Sequence, residues 1–434
     1  MKEKKILLIR PANRKLYETD NPRRDEPLGL EYIAASVENG HRVKILDLDI
    51  ININTKGLKN FLTDEKPDYV GVTASTPMLI DARHIFTLVK TILPDCKKII
   101  GGAHASCLPL NALQESGADA AIIGEGEYSF KEIVEERPYE EISGIAFAKN
   151  GSFVINPLRK PLDDLDSLVN PAHHLVPRDA YRMSPYFDVY FKDNEKPVRR
   201  ASVITSRSCP FRCIYCSVRA ISGTKIRFRS AQNVIEELAA LYFEMGVRAV
   251  MFVDDVFTFD KKRTAKICEE MIKRKINLRW WIDTRVDLVS RDLLRLMKEA
   301  GCRFIVYGVE SGSQRILDML RKDITVEQVK EAFALTHKIG IDTKANFMLG
   351  HLDETEEEVL QSIQLAKELN PARAGFYLTV PLPGSHLYEI ARQRNLIQKD
   401  FSQFMWYHWP VANLSRIDGK RLKALQHYAY KEVA

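Results

Sequence analysis

At 434 residues the chain has room for two or three domains, and 45% hydrophobic with 28% charged residues excludes a disordered or fibrous chain. A net charge of +6, spread over 64 basic and 58 acidic residues without a long like-charge block, gives no ground for nucleic-acid binding; seven cysteines, an odd number with three clustered, fit a reducing compartment rather than a disulfide scaffold. The first apolar run, Ile6 to Ile9, is too short for a signal core or a membrane span, so a cytoplasmic protein without a membrane span is expected.

Residues 1 to about 137 alternate short apolar strands with helical stretches: Lys5 to Arg10, Arg42 to Leu46, Tyr69 to Thr73, Lys97 to Gly101 and Asp119 to Ile123. Five such units predict a doubly wound parallel sheet of flavodoxin or Rossmann type. Its ligands lie beyond the carboxyl ends of the strands, where the strand order reverses. The segments there are Arg10-Pro11, Thr73-Ala-Ser75-Thr76-Pro, Gly101-Gly102-Ala-His104 and Gly124-Glu125-Gly126-Glu127. Small residues let a large ligand approach the backbone. The same glycines are also ordinary tight-turn residues, and His104 reads equally well as a loop or capping histidine.

Residues 138 to 200 read as a bridge. Gly144 to Ala148 and Ser152 to Ile155 flank Asn150-Gly151, a hairpin signal, and the proline-rich, acidic stretch from Pro157 to Pro177 predicts an ordered linker wrapped on the barrel that begins near residue 201.

From Ala201 the alternation resumes, with strands expected at Ala201 to Thr205, Ala249 to Val253, Leu278 to Ile282, Arg303 to Tyr307, Thr343 to Leu349 and Gly375 to Val380. Thr325-x-x-Gln328 and Thr355-x-x-Glu358 are capping boxes, Gly301 and Gly340 can end helices, and Val234, Ile235, Leu238, Tyr242 and Met245 form an apolar stripe. Six strand-helix units predict a partial (β/α)6 barrel with its site at the carboxyl ends of the strands. Cys209, Cys213 and Cys216 come after the first of these strands in a C-x3-C-x2-C loop. An electron-transfer 4Fe-4S cluster takes four cysteines, so three with no fourth nearby leave one iron open for an outside ligand. The competing readings are scattered core thiols and a zinc site, but zinc needs a second ligand pair and none lies beyond Cys216. After Gly384 only a short helical C-terminus remains, with Phe401, Phe404, Met405, Trp406, Tyr407 and Trp409 crowded ahead of an amphipathic stretch; capping the barrel is the favoured role and an apolar substrate wall the alternative.

The cysteine spacing with an aromatic, Tyr215, before the last cysteine resembles the radical S-adenosylmethionine (SAM) superfamily. Together with Pro27-Leu-Gly-Leu-Glu-Tyr-Ile-Ala-Ala and the two glycine turns, the layout resembles the cobalamin-type members, with a cobalamin-binding domain ahead of the barrel. The D-x-H-x-x-G pattern that brings a histidine to cobalt is absent. The resemblance implies a 4Fe-4S cluster on Cys209, Cys213 and Cys216, and SAM contacts from Tyr215, Asp254, Asp255, Arg285 and Glu310, for which helix capping or ion pairing is the plainer role. It implies a cobalamin crevice of Thr73, Ser75, Thr76, Gly101, Gly102, His104, Glu125 and Gly126. The implied reaction is reductive cleavage of SAM to a deoxyadenosyl radical, with an external electron donor such as flavodoxin or ferredoxin, and cobalamin-dependent methylation of a small molecule. A non-methylating cyclase, ring contraction or dehydratase is the alternative. The expected divisions are 1–140, 141–200, 201–385 and 386–434.

Overall fold

The computed structural model describes residues 2–12, 25–181, 192–193, 196–398, 400–405 and 409–433; Trp406 and Tyr407 of the expected aromatic cluster lie outside them. The chain forms two compact units. The first runs through Ser184 and takes in Ser217–Gly223 and Asp400–Phe404; the second comprises Pro185–Cys216, Thr224–Lys399 and Met405–Ala434.

In the first unit, β1 (Lys5–Arg10), β2 (Arg42–Asp47), β3 (Tyr69–Thr73), β4 (Lys97–Gly101) and β5 (Ala120–Ile122) are parallel in the order β2-β1-β3-β4-β5. Strand periodicity of two sends alternate residues of β1 to opposite faces. Leu7 and Ile9 pack with Leu58, Leu62, Ala82 and Val89 of two helices, while Ile6 and Leu8 pack with Leu30, Ala34, Phe130 and Ile133 of two others. The sheet is thus doubly wound, and the order reverses between β1 and β3.

In the bridge the expected hairpin forms, and one expectation is corrected. The hairpin forms as β6 (Ile145–Lys149) and β7 (Ser152–Ile155), with Asn150 and Gly151 at φ 51 and 77 in its turn, but β6 pairs antiparallel with β5, making a seven-stranded sheet. The proline-rich segment after it belongs to this unit, not to a wrapping on the barrel. Its buried polar groups find partners here: Arg178 Nη1 donates to Glu26 Oε1 at 2.9 Å, His173 Nδ1 meets Glu31 Oε2 at 2.7 Å and Tyr181 Oη donates to Asp47 Oδ2 at 2.8 Å. Buried charges and hydroxyls are placed by such partners, which no composition reveals.

In the second unit β8 (Lys192–Asp193) and β9 (Lys196–Pro197) make a short antiparallel pair, and β10 (Arg200–Val203) begins a parallel sheet. A second short pair, β11 (Ser206–Arg207) with β12 (Arg227–Phe228), brackets the cysteine loop. The sheet continues through β13 (Ala249–Phe252), β14 (Arg279–Thr284), β15 (Cys302–Glu310), β16 (Asp342–Leu349) and β17 (Arg373–Leu378), six strands in sequence order as the spacing predicts. Both capping boxes form, and Gly340 ends its helix at φ 79. Helix Ala231–Ala239 buries Val234, Ile235 and Leu238 but passes into a π turn, Ala240–Glu244, whose extra residue rotates Tyr242 and Met245 to the margin of the core.

The C-terminal helix Gly419–Val433 buries Leu422, Leu425 and Ala429 in the second unit, and Gln426 Nε2 donates to Phe376 O on β17 at 2.7 Å. The aromatic cluster divides. Phe401 and Phe404 belong to the first unit, where Phe401 meets His104 edge-on with ring centroids 5.2 Å apart, whereas Met405 and Trp409 belong to the second. Among the described residues no helix is long and apolar enough to cross a membrane.

Candidate functional site

The cysteine loop leaves β11 through Ser208, a non-glycine residue at φ 78, and is then anchored from inside. Ile214 is buried against Ile316 and Leu320; its N–H donates to Leu320 O at 3.0 Å and its carbonyl accepts from Leu387 N at 2.8 Å. All three cysteines are free thiols, half-buried. Among the described residues no three His, Cys, Asp or Glu side chains converge on one point as ligands of a single ion. Each thiolate of a cubane holds a different iron, so a cluster needs no such convergence.

The two adjacent acids after β13 differ sharply. Asp254 is buried and turned inward: Thr205 donates to it from its N–H at 3.1 Å and from Oγ1 at 2.7 Å, with the Ser206 hydroxyl as a third donor. Burial raises its carboxyl, and these donors tie it to the carboxyl end of β10. Asp255 has no hydrogen-bond or ion-pair partner among the described residues. Desolvation there, with Asp254 and Asp283 adding negative charge, pushes its carboxyl up to about 6. Burial raises the Cys209 thiol, a backbone bond from Phe211 opposes this, Asp255 and Cys213 raise it further, and Arg285 lowers it, so these groups share one neighbourhood. Arg285 binds both oxygens of Asp287, at 2.9 and 3.1 Å, and lies 3.7 Å above the Phe211 ring inside the loop. Its Nη1 is buried without a partner.

Tyr215 and Glu310 are brought together, 95 residues apart in sequence. Tyr215 Oη donates to Glu310 Oε1 at 2.9 Å, and Lys322 Nζ donates to that same oxygen at 2.8 Å. Glu310 sits at φ 71 where the β15–β16 register shifts. A Cβ at 308 would lie 2.5 Å from Glu310 Oε1 and 2.9 Å from Lys322 Nζ, so a larger residue there would push this pair aside. Sequence reasoning missed Lys322, which carries no motif, and also a buried pair after β16. There Glu354 Oε2 accepts from the N–H groups of Gly350 at 2.6 Å and His351 at 2.9 Å, and burial pushes its carboxyl up to about 7 and the His351 imidazole down to about 4. Gly-His-Leu-Asp-Glu after a strand was the available signal.

At the carboxyl ends of the first sheet, Gly102 is at φ 94 and a Cβ on it would lie 2.8 Å from Thr73 Oγ1 and 2.9 Å from Ala74 O. That glycine is required by the protein's own backbone. Gly101, by contrast, faces open space, with nothing within 4 Å of a Cβ position. The Ser75 hydroxyl at the switch point is buried without a partner. Thr76 is buried, and His104 is fully buried with both nitrogens engaged: Nδ1 at 3.3 Å from Thr76 Oγ1 and Nε2 at 2.9 Å from Asn111 Oδ1. His104 therefore ties two loops together and leaves no lone pair for a metal, and burial lowers its pKa. Ser106 links Gly102 and Gly124, donating to Gly102 O at 2.9 Å and accepting from Gly124 N at 3.0 Å. Glu125 and Gly126 continue that turn, where a Cβ on Gly126 would lie 2.9 Å from Ile33 Cδ1.

Residues 203–366 match the Radical SAM superfamily and residues 25–134 match the B12 binding domain. Over 443 aligned positions the chain is 32% identical to a protein of Pyrococcus horikoshii described as an uncharacterized methyltransferase, covering 99% of this chain and 92% of that one. It is 30% identical over 376 positions to the anaerobic magnesium-protoporphyrin IX monomethyl ester cyclase of Rubrivivax gelatinosus, covering 84% of this chain and 66% of the cyclase. The radical SAM methyltransferase TsrM of Kitasatospora setae, solved with cobalamin and a 4Fe-4S cluster, superposes with a TM-score of 0.73 at 20% identity, over 92% of this chain and 76% of that one. That likeness concerns the fold.

Proposed function

Because this chain belongs to the radical SAM superfamily and carries a B12 binding domain ahead of its six-stranded sheet, we propose that it is a cobalamin-dependent radical SAM methyltransferase acting on a small molecule. The observation that carries the reading is the set gathered around Cys209: a carboxylate without a partner on Asp255 and a buried, unpartnered N–H on Arg285. SAM presents an ammonium and a carboxylate side by side, and these two groups complement them by charge-assisted hydrogen bonds. In the first unit the open face of Gly101 and the orphaned Ser75 hydroxyl fit a large ligand at the switch point.

When bound, the 4Fe-4S cluster and SAM supply a deoxyadenosyl radical and the corrinoid supplies a methyl group. The protein's part is placement. Cys209, Cys213 and Cys216 hold three irons; Ile214, pinned at its N–H and carbonyl, keeps that loop from shifting. Asp255 and Arg285 orient the amino acid end of SAM. Glu310, held by Tyr215 and Lys322 through one oxygen, offers the other to the ribose hydroxyls. His104 fixes the Thr76 loop and is not a cobalt ligand in this reading. An external one-electron donor, of the flavodoxin or ferredoxin kind, supplies the reductant.

Anaerobic reconstitution with iron and sulfide is expected to incorporate about four irons. A reduced sample with SAM should release deoxyadenosine, and each of Cys209→Ala, Cys213→Ala and Cys216→Ala should abolish it. Zinc in place of iron would overturn the assignment. The relative named as a cyclase supports a second reading, radical chemistry without methyl delivery. Retention of hydroxocobalamin with a methylated product selects the first; deoxyadenosine formation without corrinoid retention selects the second.

A further inference from the structure

The cysteine loop lies in an unusual run of charge. From Lys196 to Ile235 the sequence contains no aspartate or glutamate and nine basic residues, Lys196, Arg199, Arg200, Arg207, Arg212, Arg219, Lys225, Arg227 and Arg229, in a chain whose acids and bases number 58 and 64 overall. Several of these are buried, but Arg212, between Cys209 and Cys213, is exposed and makes no hydrogen bond or ion pair among the described residues. The loop's Phe211 ring meets Phe259 at 6.0 Å, and Phe259 stacks on Phe228 at 6.4 Å. Just beyond Phe259 come Lys261 and Lys262, both exposed, and Lys225, also exposed, lies three residues before Phe228. The nearest acid on that segment, Asp260, is spent on capping, accepting from Arg263 N at 2.9 Å. Lys262 has no acidic partner among the described residues. Each of these four cations thus lies within three residues in sequence of one of three rings that meet one another and include the cluster loop's Phe211.

From this placement we propose that Arg212, Lys225, Lys261 and Lys262 form the docking surface for an acidic one-electron carrier protein that reduces the cluster. The proposal rests on the radical SAM reading of the cysteine loop and adds where and by what chemistry the reductant is recognised. Clustered surface cations raise the local concentration of an acidic partner and speed encounter, an effect that salt screens. The step is a single electron passing from the carrier's reduced flavin to the oxidised cluster; no bond or proton changes hands. The segment from Ser208 to Cys216 holds no carboxylate of its own, and Asp255, the acid in the neighbourhood of Cys209, is assigned to SAM.

The test uses the reconstituted full chain and reduced flavodoxin, an acidic flavoprotein, with bleaching of the cluster's visible absorption monitored in rapid mixing. Lys261→Glu/Lys262→Glu and, separately, Arg212→Glu should slow reduction by flavodoxin about tenfold or more at low ionic strength, and the salt dependence seen in the parent should be lost. Reduction by a photogenerated deazaflavin radical, a small reductant that needs no docking surface, should proceed at the parental rate. Should Arg212→Glu fail to take up iron, the double lysine variant, remote from the cysteines in sequence, decides alone. Parental flavodoxin rates overturn the proposal. So does equal slowing with both reductants, which would mean altered cluster energetics, or a raised KM for an anionic substrate with unchanged reduction, which would make the patch a substrate contact. Absence of iron from the parent chain would instead defeat the radical SAM reading itself.

Discussion

Asp254 and Asp255 are neighbours in sequence with opposite duties. One satisfies the hydroxyl and N–H groups at the end of β10 and the other, in the neighbourhood of Cys209, has no partner among the described residues. Asp255→Asn should keep iron content but weaken SAM binding about tenfold to a hundredfold, the worth of one charge-assisted contact at roughly 1.5 to 3 kcal/mol. In the parent, SAM affinity should fall as pH drops through about 6, because protonation removes the charge that meets the ammonium. Equilibrium binding between about pH 5.5 and 8, a span that brackets this titration, checks both, and parental affinity in the variant would reassign Asp255 to the surface. Glu354 gives a different pH signature. Its folded carboxyl at about 7 lies above the ordinary 4.5, so by itself it makes stability decline as pH rises between those values, while His351, held down to about 4 from 6.5, contributes the opposite slope over an overlapping range and offsets it. Glu354→Gln keeps an acceptor for Gly350 and His351 and should leave the His351 contribution unopposed, so that Tm rises with pH between about 4.5 and 6.5 more steeply than in the parent, which calorimetry of the apoprotein would read. Neither the inward turn of Asp254 nor the burial of Glu354 was legible in sequence, since both depend on residues from other strands.

At the scale of single elements, local signals were reliable where local physics dominates. The capping boxes at Thr325 and Thr355, the Asn150-Gly151 turn and the strand periods were all visible, because each is decided within a few residues. Gly101 and Gly102 look alike in sequence and are separated only by structure. Gly102→Ala should destabilise the fold, costing more than about 1 kcal/mol and lowering Tm by several degrees, since its φ of 94 and its clearance to Ala74 both exclude a Cβ. Gly101→Leu should leave Tm close to the parent while abolishing corrinoid retention, because its side chain enters open space. Retention of hydroxocobalamin by the Gly101 variant would remove that face from the crevice. The edge pairing of β6 on β5 escaped sequence reading because a hairpin's own residues state that it exists and not which strand it joins.

For the molecule as a whole, the first unit is not one contiguous stretch. It includes Ser217–Gly223, whose Ile221 carbonyl lies 3.4 Å from a Cβ position on Gly124, and Asp400–Phe404, whose Phe401 covers His104. A fragment ending at Ser184 should therefore show faster amide hydrogen exchange over Gly102–Cys107 than the full chain does, as the loop loses packing on both sides. Equal exchange would show that the two excursions are dispensable. By itself the sequence determined the alternating strands and helices of the two sheets and the three-thiol loop, because hydrophobic period, turn chemistry and cysteine spacing act over short distances. Only tertiary structure decided which acid is free, which glycine is open, that His104 is consumed by Thr76 and Asn111, and that Tyr215, Glu310 and Lys322 form one group. Those outcomes depend on contacts between residues far apart in the chain, where burial and the matching of each polar group to its partner settle the role of a side chain.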